Sequence, residues 1–370
     1  MEENGATGPL KGVRVVEMAG IGPGPFACML LSDMGADIVT VDREGRPPGN
    51  AANVVGRGRT VVGANLKDAA ARESVMRLLE HADVLIEGFR PGVMERLGLG
   101  PAEVAQRNPR LVYGRMTGWG QYGPLAQAAG HDINYIAITG ALNAIGSAES
   151  GPIPPLNLVG DYAGGSMYLV MGVLAALIEA RSSGRGQVVD AAITDGTISL
   201  MSNTVGRALR GAYVERRGSN MLDGGTAYYA AYETADGKYV SLGAIEPQFF
   251  AEMCERIGLT PSLRDAQNDA ARHADMKAEL CRVFRTRTRE EWVVLLEGSD
   301  ACFAPVLSLS EAVEHPHNVA RQAFVQVGGL SQPAPAPRFS RTPSSVQGPA
   351  PSGVVALGAV LERWSAGSVG

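Results

Sequence analysis

Gly12-Val13-Arg14-Val15-Val16-Glu17-Met18 leads through Gly20-Ile21-Gly22-Pro23-Gly24-Pro25 into a helical pattern over 26–34, and then into Asp37-Ile38-Val39-Thr40-Val41-Asp42. A β-branched run, a Gly/Pro turn, a helix and a second β-branched run form the unit from which alternating β/α sheets are wound. Strand patterns recur at Thr60-Val61-Val62-Gly63-Ala64-Asn65-Leu66, Asp83-Val84-Leu85-Ile86-Glu87 and Leu111-Val112-Tyr113-Gly114-Arg115-Met116, with helix-like stretches between them. The stretch 67–81 has amphipathic helical periodicity. Val188-Val189-Asp190-Ala191-Ala192 is a last strand, followed by a helix over about 195–211. The predicted fold class is α/β.

The first turn invites comparison with a dinucleotide fingerprint, because Asp42 ends the second strand where a ribose-binding acid would stand. The spacing is not GxGxxG, however, and Pro23 and Pro25 remove backbone donors that a pyrophosphate would need. Two readings remain: a strand-to-helix turn that uses Gly for positive φ, and a turn lying close to some other ligand. Arg43 and the Gly88-Phe89-Arg90-Pro91-Gly92 segment both follow strands, the edge at which open α/β sheets bind ligands. Two guanidinium groups there suit an anionic ligand, although a lone strand-end Arg is commonly just solvated.

With 370 residues and 45% apolar side chains, the chain is long enough for two cores. Its 33 basic and 38 acidic residues give a net charge of -5, and the cluster Arg285, Arg287, Arg289 runs into Glu290 and Glu291, which argues against a nucleic-acid surface. Cys28, Cys254, Cys281 and Cys302 stand far apart without CxxC spacing, so neither a disulfide framework nor a zinc site is expected. Residues 1–12 lack the apolar core of a signal peptide, and the tail from Ser365 to Gly370 carries no targeting signal. A cytoplasmic location with reduced thiols is expected. Met167 to Ala180 is apolar nearly all round and is expected to form a buried helix. Its longest apolar run, Met167 to Ile178, is shorter than the roughly 20 residues of a membrane span. No membrane segment is expected.

The strand-and-helix alternation ends near residue 212, and 213–228 reads as a linker. The segments 229–234 and 239–244 flank Asp236-Gly237, a favoured hairpin turn. Helical patterns follow at about 248–257, 275–284, 289–297 and 309–314, so 229–322 is expected to be a smaller α+β domain. Residues 323–352 form a second linker, Pro/Ser/Ala-rich from Ser331 onward, and a last helix within 353–370 returns to the first domain, 1–212.

Four residues could carry acid/base chemistry: His131 and Asp132 in Gly130-His131-Asp132-Ile133-Asn134-Tyr135, Asp161 at the end of Asn157-Leu158-Val159-Gly160-Asp161, and Glu246. A neutral His takes a proton near pH 7, and a carboxylate with a tuned pKa can donate or accept one. A carboxylate beside the imidazole would fix its tautomer. Two such groups on opposite faces of a carbon acid would remove a proton from one face and return it to the other, which is racemisation without a metal. Plainer readings exist: a lone His is more often a satisfied structural residue, Asp132 and Asp161 resemble helix N-caps, and Glu246 sits in a turn. No GxSxG elbow supports a Ser-His-Asp triad, and His315-Pro316-His317 has the wrong spacing for two metal ligands on one helical face.

Several stretches together settle more than composition does. Residues 12–17, the 20–25 turn, Asp83 to Gly100 (DVLIEGFRPGVMERLGLG), Arg115-Met116-Thr117-Gly118-Trp119-Gly120, Gly130 to Tyr135, Asn157 to Asp161 and Gly243-Ala244-Ile245-Glu246-Pro247-Gln248-Phe249 resemble the α-methylacyl-CoA racemases of the family III CoA-transferase superfamily. The resemblance covers nearly the whole chain. It implies a Rossmann-like large domain built from both termini, a small domain between two linkers, and an interlocked homodimer in which Glu246 comes from the partner chain. It also implies that His131 and Asp161 are the acid/base pair, that Glu246 and Asp132 tune or orient the imidazole, and that Asn157 holds the Asp161 side. The CoA thioester would lie along Ile21, Arg43, Ala64, Lys67, Gly88, Phe89, Arg90, Arg96, Gly130 and Tyr135. CoA would be part of the substrate, with no separate cofactor and no metal. The transferase branch of the superfamily is the rival, with an Asp near position 161 as nucleophile beneath a Gly-rich loop. The GAIEPQF and GHDINY segments favour the racemase. A silent CoA-binding protein of the same fold is a second rival.

Overall fold

The computed structural model describes residues 7–45, 47 and 49–366. The ends of the expected large domain, 1–6 and 367–370, lie outside the described residues, as do Arg46 and Pro48. β1 (Arg14–Met18), β2 (Asp37–Asp42), β3 (Arg59–Gly63), β4 (Val84–Glu87), β5 (Val112–Thr117) and β8 (Val188–Ala192) form a six-stranded sheet in the order β3-β2-β1-β4-β5-β8. Every pairing in it is parallel. The strands predicted from alternation are therefore the strands of the sheet.

Both faces of this sheet are covered, which explains why its central strands read as continuous apolar runs. On one face Val15, Val84 and Val112 pack with Ala27 and Leu31 of α1 (Pro23–Asp33) and with Leu169 and Val173 of α7 (Tyr168–Ser183). On the other, Val16, Val39 and Leu85 pack with Leu78 and Leu79 of α2 (Ala69–Glu80) and with Val360 and Trp364 of the final helix, Leu357–Ala366. Truncating one of the fully buried leucines, such as Leu78, Leu79, Leu85 or Leu169, to Ala costs about 2–5 kcal/mol. The short helices α3 (Val93–Arg96) and α4 (Pro101–Arg107) follow β4, and α5 (Asp132–Ala137) follows β5.

The chain divides into two compact units. One takes the described residues up to Thr139, Pro155–Met201 and Ala320 onward; the other takes Gly140–Pro154 and Ser202–Val319. The second unit contains α6 (Ala141–Ala144) and the two-residue strands β6 (Gly146–Ser147) and β7 (Gly151–Pro152). Its main sheet is antiparallel, with β9 (Tyr229–Glu233) and β10 (Tyr239–Gly243) forming the hairpin and β11 (Phe303–Val306) pairing on the far side of β10. Tyr232, Phe250, Phe284 and Trp292 fill its core. This unit is α+β.

Three local features differ from the sequence expectation. The helix over 195–211 is two helices, α8 (Ile193–Leu200) and α9 (Ser202–Leu209), parting where Ser202 and Asn203 favour caps over a helix interior. The stretch read as an extended linker begins with a hairpin, β12 (Phe324–Val327) and β13 (Leu330–Pro333), turned by Gly328 and Gly329 at φ 57° and 79°. Gly-Gly is a hairpin signal that was legible there. Finally, the apolar helix is longer than its apolar run and only half buried. It extends over Leu158–Ser183, 26 residues that include an 18-residue window of mean hydropathy 1.6, so by length and composition alone it could cross a bilayer. Met171 and Ile178 on it are 59% and 71% exposed.

Candidate active site

The site forms where the turn after β1, the loop after β4 and the segment after β5 meet the start of the long helix. Leu158–Met167 is wound as a π-helix, with Tyr162 N–H donating to the Asn157 carbonyl five residues back at 3.2 Å. Such wide turns are rare and concentrate at functional sites. Ser166 Oγ ties the π-helix to the first turn by donating to the Pro23 carbonyl at 2.7 Å. A widened turn needs room, and Gly160 supplies it: a Cβ there would lie 2.7 Å from the Asp132 carboxyl carbon and 2.9 Å from Ile136 Cγ2.

Asp161 stands within this first turn. Its backbone N–H donates to Asp132 Oδ2 at 2.6 Å, and its side chain is hydrogen-bonded by Asn157. Gly22, at φ 71°, lies against this carboxyl, and a Cβ there would come within 3.1 Å of Asp161 Oδ2. Partial burial, followed by the negative charge of Asp132, pushes the Asp161 carboxyl up to about 6, against the opposing influence of His131 and the Asn157 hydrogen bond. This carboxyl can therefore both hold and release a proton near neutrality.

His131 is the N-cap of α5, its backbone N–H held by Asn134 Oδ1 at 3.1 Å and its ring on the wall of the same cavity as Asp161. The cavity measures about 380 Å³, with Ile21, Gly22, Gly88, Phe89, Gly130 and Tyr135 also on its walls. Tyr135 OH donates to the Gly130 carbonyl, and its ring packs edge-on against Trp119 at 4.8 Å. The ring sits so close over Gly118 and Gly130 that neither position has room for a Cβ. A neighbouring cavity of about 430 Å³ adds Arg90, Trp119 and Asn134 to the shared Gly88, Phe89, His131 and Tyr135.

The structure brings His131, Asp161, Asn157 and Asp132 together. Asp132 Oδ2 receives the Asp161 N–H, so this carboxylate also acts on the other member of the pair. Glu246 belongs to the second unit, where it is the exposed N-cap of α10 (Pro247–Ile257).

The expected ligand residues follow the sheet order along its carboxyl edge. Ala64 follows β3, Arg43 follows β2, Ile21 follows β1 and Gly88 to Arg90 follow β4. Gly130 and Tyr135 come in the segment after β5. From β3 to β5 is four strand spacings of about 4.8 Å, or about 19 Å, which fits an extended ligand. Arg43, Lys67, Arg90 and Arg96 are exposed cations along that edge. Among the described residues no group of three or more His, Cys, Asp or Glu is placed to hold a metal ion.

Residues 10–354 match the family model of CoA-transferase family III. The chain belongs to CoA-transferase family III. Within the family it is 44% identical to the α-methylacyl-CoA racemase of Mus musculus, over 90% of this chain and 87% of the mouse chain. It is 41% identical to the human α-methylacyl-CoA racemase, again over 90% of this chain and 87% of the relative. A crystal structure of a hypothetical protein from Mycobacterium tuberculosis superposes with a TM-score of 0.81, at 30% identity, covering 96% of this chain and 99% of that one.

Some parts of this family III site escaped the sequence reading. Gly160 and the π-helix were missed because a widened turn changes the helical period over too few residues to register. Gly22 was marked for its turn, but its close approach to Asp161 was not legible. Glu87 was passed over as a strand end, and its burial comes from the fold.

Proposed function

We propose that this chain is an α-methylacyl-CoA racemase, interconverting the (R) and (S) forms of 2-methylacyl-CoA thioesters by moving the α-proton between His131 and Asp161. The carrying observation is that these two side chains line one cavity, with the Asp161 carboxyl raised to about 6. One group removes the α-proton from its face, the thioester carbonyl takes up the charge as an enolate, and the other returns a proton to the opposite face. A raised carboxyl pKa brings base and acid strengths closer together, so neither direction faces a large uphill proton transfer. Asn157 and Asp132 hold the Asp161 side. Asp161 N–H already serves Asp132 and is not free to bind the enolate oxygen.

The thioester's CoA would extend along the carboxyl edge past Gly88, Phe89 and Gly130, with Arg43, Lys67, Arg90 and Arg96 offering charge to its phosphates. We further propose the interlocked homodimer, with a large CoA-binding domain, a small domain and crossing linkers, in which Glu246 reaches the imidazole from the partner chain. Support comes from Met167, Met171 and Ile178, 52%, 59% and 71% exposed in the single chain at helical spacing on one element. Four free cysteines suit a reducing, cytoplasmic setting.

Incubation with (R)- and (S)-2-methylacyl-CoA in deuterated water tests the reading. The unsubstituted protein is expected to racemise both and to exchange the α-proton. His131→Ala and Asp161→Ala should each stop racemisation, while the surviving base still exchanges the proton of the one enantiomer that presents it. No exchange, together with movement of CoA to an added free acid, would overturn the proposal and make Asp161 a transferase nucleophile.

A further inference from the structure

The segment that carries Gly88, Phe89, Arg90 and Arg96 is held by an ionic network whose inner members, Glu87 and Arg115, are buried. Glu87, the last residue of β4, is 1% exposed. Its Oε2 accepts the Phe89 backbone N–H at 2.7 Å, and its Oε1 accepts Arg115 Nε at 2.9 Å. Arg115 lies directly opposite on β5, in register with Glu87. The far side of its guanidinium holds Glu95 of α3 in a two-pronged pair, NH1 to Oε1 at 2.8 Å and NH2 to Oε2 at 3.3 Å. One guanidinium thus ties the start of the loop to its far end.

Stability alone explains this network poorly. Glu87 and Arg115 lie between apolar strand residues, and buried ion pairs are commonly no better than well-packed apolar substitutes. What a carboxylate does there, and an apolar residue cannot, is direct the Phe89 N–H into the sheet and leave the following residues turned toward the ligand edge. Phe89 is pinned again by packing its ring against the core beneath. Gly88, between the two grips, is exposed on the cavity wall.

We propose that Glu87 is a positioning residue for nucleotide-thioester binding: through Phe89 N–H and the Arg115–Glu95 pair it sets the loop that receives CoA. This rests on the acyl-CoA reading above. The role concerns binding and not the proton transfer, so it predicts a split between affinity and turnover.

Calorimetric titration with free CoA is the deciding measurement, because CoA binding is common to the racemase and transferase readings. In Glu87→Gln one side-chain face must meet a donor with a donor, and CoA affinity is expected to fall about tenfold, as for a lost charge-assisted hydrogen bond. The rate of α-proton exchange at saturating thioester should stay within about twofold, the mark of lost ground-state binding. Glu95→Ala breaks only the outer grip and should weaken CoA by a smaller factor. If Glu87→Gln fails to fold, Glu95→Ala decides. Unchanged CoA affinity in the folded variants, or a turnover loss with affinity intact, would overturn the inference. An unsubstituted protein that binds no CoA would remove both this inference and the function it rests on, whereas CoA binding without proton exchange would remove only the racemase.

Discussion

At the scale of single residues the decisive group is Asp161, whose protonation affects stability as well as chemistry. Its carboxyl is raised from 3.8 to about 6 by burial and by Asp132. A raised carboxyl favours the protonated folded state, so its stabilising contribution is complete below about pH 4 and lost as pH rises through 6. Asp161→Asn should therefore be more stable than the unsubstituted protein at pH 7, by on the order of 1 kcal/mol once solvent screening of a half-exposed group is discounted. The advantage should vanish by about pH 4, and thermal unfolding at the two pH values checks it. An Asn variant less stable at pH 7 would show that Asp161 is held as a favourable charge. The sequence singled out this residue as a candidate acid/base group, with a helix N-cap as the plainer alternative. It could not show that Asp132 reaches across 29 positions to the Asp161 N–H, because that contact depends on the fold.

At the scale of elements the sheet was the legible part and the turns around it were not. Strands read correctly because parallel strands covered on both faces leave near-continuous apolar runs rich in β-branched residues; Ile38 to Val41 is wholly β-branched, and Val13 to Met18 is interrupted only by Arg14 and Glu17. The π-helix was illegible for the opposite reason: Leu158–Met167 contains Gly160, Gly164 and Gly165, which suit tight packing in any helix and do not specify its pitch. Their close contacts make the element testable. In Gly160→Ala the new methyl would press on the Asp132 carboxyl and Ile136. Forcing a methyl into such a gap typically costs 1–3 kcal/mol. The expected loss of racemisation exceeds tenfold, because a 1 Å displacement of a catalytic group costs on that order or more. Gly164→Ala would instead press on Thr197 and is expected to lose stability through α8 packing. Circular dichroism melts beside exchange rates separate the two, and a Gly160→Ala protein with full activity would remove the π-turn from the mechanism.

For the whole molecule, the question is which chain completes the site. The length and apolar content left room for two cores, and each compact unit has its own, that of the second unit filled by Tyr232, Phe284 and Trp292. What composition could not show is why a helix apolar all round leaves Met171 and Ile178 exposed. The second copy proposed above would cover that face. In the interlocked arrangement each site takes His131 and Asp161 from one chain and Glu246 from the other, and this makes a sharp prediction. Once His131→Ala and Glu246→Ala are each inactive as homodimers, co-expressing the two chains should restore activity. Every mixed dimer would hold one site with both substitutions and one with neither. Random pairing makes half of the dimers mixed, so racemisation should recover to about a quarter of the unsubstituted value. Purifying the mixed species through two different affinity tags should raise this to about a half. If each chain instead builds its own site, every site in every dimer carries a substitution and co-expression restores nothing.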